Sequence, residues 1–305
     1  MRYSLLTRFQ GALLGTILGD ALTIQVQSSS VFPGIQQPDW YKILHYQPSE
    51  WTNKLNQVCL MMNESSPLEQ QTGTQKSWSS GESAYLALPI ILLYHENYSL
   101  LEQQISRIAQ YWQWSAEILE DVLIWGYIVA LILREKLDKR NIIGQLLVGV
   151  GTKQTPLFQQ LKQLESWLSK SLSLEQVVKK LSNQTQDWSI PLSLYCFNST
   201  PENFALSIRR ATHYQAQAKM TAMLTGALAG GYNGTMGIPT AWRKLSYQNF
   251  LYQEIDRQGK ILFDNWSGVY SGGQKLDENR IKQKAIAASG TIQTRSSLIV
   301  ISQQE

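Results

Sequence analysis

The chain has 305 residues, of which 43% are hydrophobic and 16% charged, with a formal net charge of +4. That apolar share supplies the core of one large domain or two small ones and excludes wholesale disorder. The small charge comes with no dense Lys/Arg stripe, which excludes a nucleic-acid-binding surface, and no apolar run is long enough for a membrane span. The longest, "VLIWGYIVALIL" at 122–133, is closed by "REK" and reads as a buried core helix. Arg8 and Gln10 interrupt the apolar start, against a signal peptide. Cys59 and Cys196 form no CxxC pair; a disulfide stays open, but a reducing, cytoplasmic compartment is the expectation.

A first helix is expected over 5–22, with Gly11, Gly15 and Gly19 on one face, where missing side chains let a second helix approach. Residues 28–80 are rich in Ser, Gln, Pro and Trp and lack periodicity, so they read as a loop-rich insertion with room for a short helix around 51–62. Residues 82–94 read as a helix despite Pro89. "SLLE" at 99–102 is a capping-box signature that predicts a helix over 100–114. The segment 116–138 is the most hydrophobic helix in the chain. An amphipathic helix is expected over 155–170, and another runs from Ser173, paired with Gln176, to 181. An apolar helix follows over 191–197. Thr200-Pro201 reads as an N-cap followed by a proline at the first helical position, which predicts a helix to 212. A glycine-rich helix over 220–232 repeats the four-residue spacing at Gly226 and Gly230. Pro239 precedes a helix over 240–257. Beyond 260 the pattern fades. No strand alternation appears, so the expected architecture is one all-α domain, residues 1–259, with a loosely attached tail, residues 260–305.

Three stretches carry a resemblance. They are "RFQGALLGTILGDAL" at 8–22, "DWSIPLSLYCFNSTPENFALSIRRA" at 187–211 and "MTAMLTGALAGGYNGTMGIPTAW" at 220–242. In this order they resemble the ADP-ribosylglycohydrolase family, which includes the dinitrogenase reductase-activating glycohydrolases. With the helix at 116–133, the likeness spans about two-thirds of the chain. It implies an all-α fold and, in active members, a cleft in which two magnesium ions hold the ribose hydroxyls of an ADP-ribosyl group during hydrolysis. Such ions need several hard oxygen ligands. The family's Gly-Asp is kept as Gly19-Asp20. Its glutamate seven residues later is Gln27 here, which cannot act as a base. Its Thr-Asp-Asp-Thr turn corresponds to Ser80-Gly81-Glu82-Ser83. Its Asp-x-Asp-Thr corresponds to Gln217-Ala218-Lys219-Met220. The family's central Asn/Ser-Gly-x-x-Met-Arg segment has no counterpart.

The resemblance therefore implies a family scaffold with most metal ligands replaced: no cofactor is expected, and Lys219 repels a cation. Asp20, Gln27, Ser80, Glu82, Ser83, Gln217 and Lys219 are the cleft candidates, with Gln27 and Glu82 at the family's catalytic positions. Structural readings stand beside them. Asp20 can terminate a helix, Glu82 can sit at a helix N-terminus, and the serines can cap. His45, His95 and His213 are too scattered for a ligand set. The tryptophans read as core or interface anchors. The leading expectation is a degenerate family member that binds a protein partner or an ADP-ribose-like ligand. One alternative is an active glycohydrolase rebuilt around Asp20, Glu82 and Glu117, Glu120 or Asp121. Another is a structural or assembly protein. Lys219 is expected either to pair with Glu82 or Asp20, as the cleft's cation, or to face solvent.

Overall fold

The computed structural model describes residues 3–23, 39–64, 78–151, 155–181, 186–212 and 217–268. Among them no strand occurs. Helix α1 (Leu5–Thr23) is buried from Arg8 to Leu22 except at Gln10, so it runs through the middle of the fold. Helices α2 (Asp39–Leu44) and α3 (Glu50–Glu64) stand inside the stretch whose composition suggested mostly loop. Helix α4 (Ser80–Tyr94) opens in a capping box between Ser79 and Glu82 and continues through Pro89. Helix α5 (Tyr98–Tyr111) is capped by Asn97, whose side chain accepts from the Leu100 amide at 3.1 Å. Ser99 therefore lies in its first turn instead of capping it.

Helix α6 (Ala116–Leu133) stops five residues before the expected end. Arg134 closes it, and Glu135 turns the chain with φ 57°. The unanticipated α7 (Ile142–Gly149) follows, capped by Asn141. Helix α8 (Pro156–Ser169) has Thr155 as N-cap, and α9 (Leu174–Leu181) opens on the reciprocal Ser173–Gln176 pair. Helix α10 (Ser189–Ser199) ends at Thr200, and Asn203 caps α11 (Phe204–Ala211). The expected Thr200-Pro201 start is thus displaced by three residues, because Asn203 supplies the acceptor for Leu206. Helix α12 (Ala218–Asn233) ends at Gly234, with φ 60°, and a 3-10 turn (Thr235–Gly237) follows. The expected 240–257 helix is two, α13 (Thr240–Ser246) and α14 (Phe250–Ser267), broken where Asn249 caps the second.

Helix α14 also corrects the tail boundary. It continues eight residues past 259 and buries Tyr252, Ile255, Gly259, Leu262 and Trp266 at helical spacing. Residues 269–305 lie outside the described residues.

Helices α1 and α12 make the most intimate pair of the fold. Gly11 faces Gly230, Gly15 faces Gly226, and Gly19 faces Ala222. A Cβ on Gly11 would lie 2.5 Å from the Gly230 carbonyl oxygen, and one on Gly226 would overlap the Gly15 carbonyl. The obstacle is backbone on both sides, so it cannot rotate away. Helices α4, α10, α11 and α14 pack around this pair, and α6 touches both α4 and α12. The buried Arg8 ties α6 to it, donating to the carbonyls of Gly231 (2.8 Å) and Ile132 and pairing with Glu135 at 3.1 Å. The tryptophans are anchors in part. Trp125 and Trp188 are buried, while Trp51, Trp78, Trp112 and Trp114 form a run of ring contacts with Lys54 over Trp51.

Replacing Gly226 by Leu is expected to lower stability by about 1–3 kcal/mol or more through overpacking. Gly231 is the control: an added Cβ meets nothing closer than 3.7 Å. Gly231→Ala is expected to be neutral or to gain up to about 1 kcal/mol in helix propensity. Denaturant unfolding of both variants against wild type checks the pair. His95 is buried against Phe9 and Trp266, and burial holds its pKa down to about 4. The unfolded chain then binds the extra proton first. His95 stability is complete above about pH 6.5 and is lost as pH falls toward 4. The wild-type minus His95→Asn stability difference is expected to shrink across that window.

Candidate functional site

The glycine crossing fixes the site's first acid. Asp20 follows Gly19 on α1 and is wholly buried. A buried carboxylate needs donors, and three side chains approach it. Its Oδ2 accepts from the Tyr46 hydroxyl at 2.7 Å and the Thr52 hydroxyl at 2.9 Å. Its Oδ1 lies 3.4 Å from the Lys219 ammonium. Lys219 is 44% exposed, so it spans from solvent into the core. Tyr46 precedes α3 and Thr52 lies in its first turn, so the stretch read as an insertion clamps the family acid. Burial and the Asp20 charge together raise the Tyr46 hydroxyl far above its ordinary pKa, keeping it a donor. Of the two expected partners for Lys219, the structure selects Asp20.

Glu82 has a helix-capping role. Its Oε2 accepts from the Ser79 amide at 3.1 Å, while its own amide donates to the Ser79 hydroxyl at 3.2 Å. Its neighbour Gly81 is crowded by side chains: an added Cβ would overlap the Ser189 hydroxyl and lie 3.0 Å from Met220 Cγ. The Gly81 amide donates to Asp187 Oδ2 at 3.1 Å, and the Ser189 amide donates to Asp187 Oδ1 at 2.8 Å. Gln217 is engaged at both ends of its amide. Its oxygen accepts from the Trp188 amide at 2.8 Å, and its nitrogen donates to the Gln186 carbonyl at 3.1 Å. Ser83 is buried, with its hydroxyl lacking a hydrogen bond. Gln27 and His213 lie outside the described residues; His45 makes a tilted ring contact with Tyr41 at the surface.

Beside this knot opens a cavity of about 320 Å³ at the N-termini of α4, α6 and α8. Ser80, Glu117, Asp121, Gln160 and Asp187 line it. Ser80 donates to Asp121 Oδ2 at 2.6 Å. Burial pushes the Asp121 carboxyl up to about 6, against the pull of the Ser80 and Thr155 hydroxyls. Glu120 is not among the lining residues. The structure thus separates the sequence candidates into three places: Asp20 with Lys219, Glu82 in its cap, and Ser80 at the cavity. Asp187 and Gln160 were missed. Asp187 had a signal, an acid two residues before a helix whose first amides need acceptors; Gln160 had none.

Residues 53–271 match the sequence model of the ADP-ribosylglycohydrolase family. The chain belongs to that family. The match leaves α1 outside, but α1 packs along α12, which lies within it. No curated protein matches the chain. Among the described residues no group of three or more His, Cys, Asp or Glu is arranged to hold a metal ion, and no helix is long and apolar enough to cross a membrane.

Removing the Tyr46 hydroxyl (Tyr46→Phe) is expected to cost about 1.5–3 kcal/mol, as for a hydrogen bond to a charged group. Lys219→Met is expected to cost about 0–1 kcal/mol, because the ammonium is half-solvated and screened. Urea unfolding checks the order. A larger loss for Lys219→Met reverses the assignment of what holds Asp20.

Proposed function

We propose that this chain is a catalytically degenerate ADP-ribosylglycohydrolase that acts by binding a protein partner or small ligand. The observation that carries the reading is the state of Asp20, which has a lysine ammonium and two hydroxyl donors around it. A magnesium ion there would face a positive charge at Lys219 and a carboxylate oxygen already accepting two hydrogen bonds. The residues present do not fit two magnesium ions. A side chain at Gly81 would meet the side chains of Ser189 and Met220, Gln217 spends its amide on the backbone of 186–188, and Glu82 is engaged in its cap. A cytoplasmic location accords with Cys59 and Cys196, both buried and unpaired.

A second reading, residual hydrolysis without the family's ions, is favoured by one observation. Asp121 titrates near 6, in the range of a general acid or base, beside an open cavity.

Titration calorimetry with magnesium and a hydrolysis assay on ADP-ribosylated protein separate these readings. Neither magnesium heat nor product is expected from the wild type. Saturable magnesium binding overturns the degenerate reading, and magnesium-independent product that vanishes in Asp121→Asn establishes the second. The triple variant Gly81→Asp, Gln217→Asp, Lys219→Asp is expected to fold less stably and still not bind magnesium, because the first new side chain must push aside those of Ser189 and Met220.

A further inference from the structure

A second cavity, of about 350 Å³, lies between α8 and the turn that leads into α7. It shares no lining residue with the cavity at the N-termini of α4, α6 and α8. Its apolar wall is Ile142 of α7 with Leu161, Leu164 and Leu168 of α8. The leucines are three and four residues apart, so they share one helix face. Lys139 and Arg140 give the cavity a basic side, and Glu165 is its acid.

These three charges are not equally engaged. Glu165 Oε1 accepts from the Ile143 amide at 3.4 Å, so it answers the N-terminus of α7. The Lys139 ammonium turns to α12, 3.5 Å from the Tyr232 hydroxyl and 5.2 Å from the centre of that ring. Arg140 is exposed, and its guanidinium makes no hydrogen bond or ion pair among the described residues. Its backbone, by contrast, is held. The Arg140 amide donates to Asp138 Oδ1 at 3.0 Å and the Asn141 amide to the Asp138 carbonyl at 3.1 Å. The Lys139 carbonyl accepts from Asn198 of α10 at 3.0 Å, and Asn141 caps α7. A fixed turn thus sets a free guanidinium beside an apolar cavity, which lowers the ordering cost of binding there.

The lining selects the ligand by charge and by polarity. A guanidinium matches a carboxylate with two parallel N–H donors, and a leucine wall favours an aliphatic body. A cationic ligand meets like charge at Arg140. A nucleotide or polyphosphate would bring several charges to one free guanidinium, with leucines and Glu165 as its other neighbours. The volume is at the lower end for small-ligand sites. It leaves room for a short alkyl chain and not for a partner helix about 10–12 Å across. We propose that this cavity binds a free amphiphilic monocarboxylate, with its alkyl chain along Leu161, Leu164 and Leu168 and its carboxylate on Arg140. The inference goes beyond the binding reading above and does not depend on the state of the family's magnesium site, since none of these residues belongs to it.

The test is calorimetry on the full chain with four probes below micelle formation: octanoate, 1-octanol, octylammonium and inorganic phosphate. Saturable one-site binding of octanoate is expected. Octanol has the chain without the charge, phosphate the charge without the chain, and octylammonium the opposite charge; each is expected to bind about tenfold more weakly or not at all. Arg140→Gln is a surface change that keeps the backbone contacts of the turn, and it is expected to weaken octanoate about tenfold or more. Lys139→Gln is the control, expected to weaken it much less, because that ammonium already faces Tyr232. A melting curve of each variant confirms that it is folded. The proposal is overturned if octanoate does not saturate, if octanol, octylammonium or phosphate matches it, if Arg140→Gln leaves its affinity unchanged, or if Lys139→Gln costs more than Arg140→Gln. Failure here leaves the degenerate reading standing. Magnesium binding in the separate titration defeats that reading whatever octanoate does.

Discussion

The backbone contact between α1 and α12 is the constraint on which the rest of the structure depends. Gly11, Gly15 and Gly19 oppose Gly230, Gly226 and Ala222, so each step of four along one helix is a step of four back along the other. The two axes can come this close only because no Cβ intervenes. The closeness lets α4, α10, α11 and α14 wrap one central pair. Five of these six positions are glycine, and each glycine costs helix propensity. Tertiary packing offsets that cost, and it leaves the register no freedom.

The site inherits that register. Asp20 comes one residue after Gly19, and Lys219 comes three residues before Ala222, so the crossing itself brings the carboxylate and the ammonium to the same level. The lysine at this level faces the carboxylate across the crossing. The hydroxyls of Tyr46 and Thr52 then complete the neutralisation from the α2–α3 side. A carboxylate that would be costly alone in the core is kept because the same helix contact that buries it also supplies its partner. The half-exposed lysine adds less energy than the two hydroxyls, but it sets the sign of the charge beside Asp20.

Legibility in the sequence followed the range of the interaction. The glycine crossing was visible because a four-residue repeat of a small residue has one physical meaning on a helix. The capping boxes at Ser79–Glu82 and Ser173–Gln176 lie within three residues of chain, and local chemistry decides them. Asn97 and Asn203 won their caps over Ser99 and Thr200-Pro201, because only placement in the folded chain decides which of two nearby acceptors faces the free amide. Helix α14 was cut short in the reading because its outer face is polar. Its inner face packs on α1, α3 and α4, with Gly259 close to Gln10 of α1. Tyr46 and Thr52 lie in a stretch without periodicity, and nothing local ties either to Asp20. Asp187 could have been suspected from its place before a helix. Gln160 could not, since its role depends on contacts with Gln186 and the Asp187 carbonyl across 26 and 27 residues.

Three helix starts, at Ser80, Pro156 and Ser189, gather near one another and would together attract an anion. In this chain the protein supplies those anions itself. Asp187 consumes two of the amides, and Asp121 consumes the Ser80 hydroxyl. The scaffold therefore uses some of its acids as internal ligands of its own helix ends. Where the helix ends satisfy a carboxylate fully, as at Asp187, the acid has become structure. At Asp121 the satisfaction is incomplete: one oxygen accepts from Ser80, and the other is buried without a hydrogen bond. Asp20 shares this shortfall, since its Oδ1 also lacks a hydrogen bond, but the Lys219 ammonium stands 3.4 Å from that oxygen and offsets its charge.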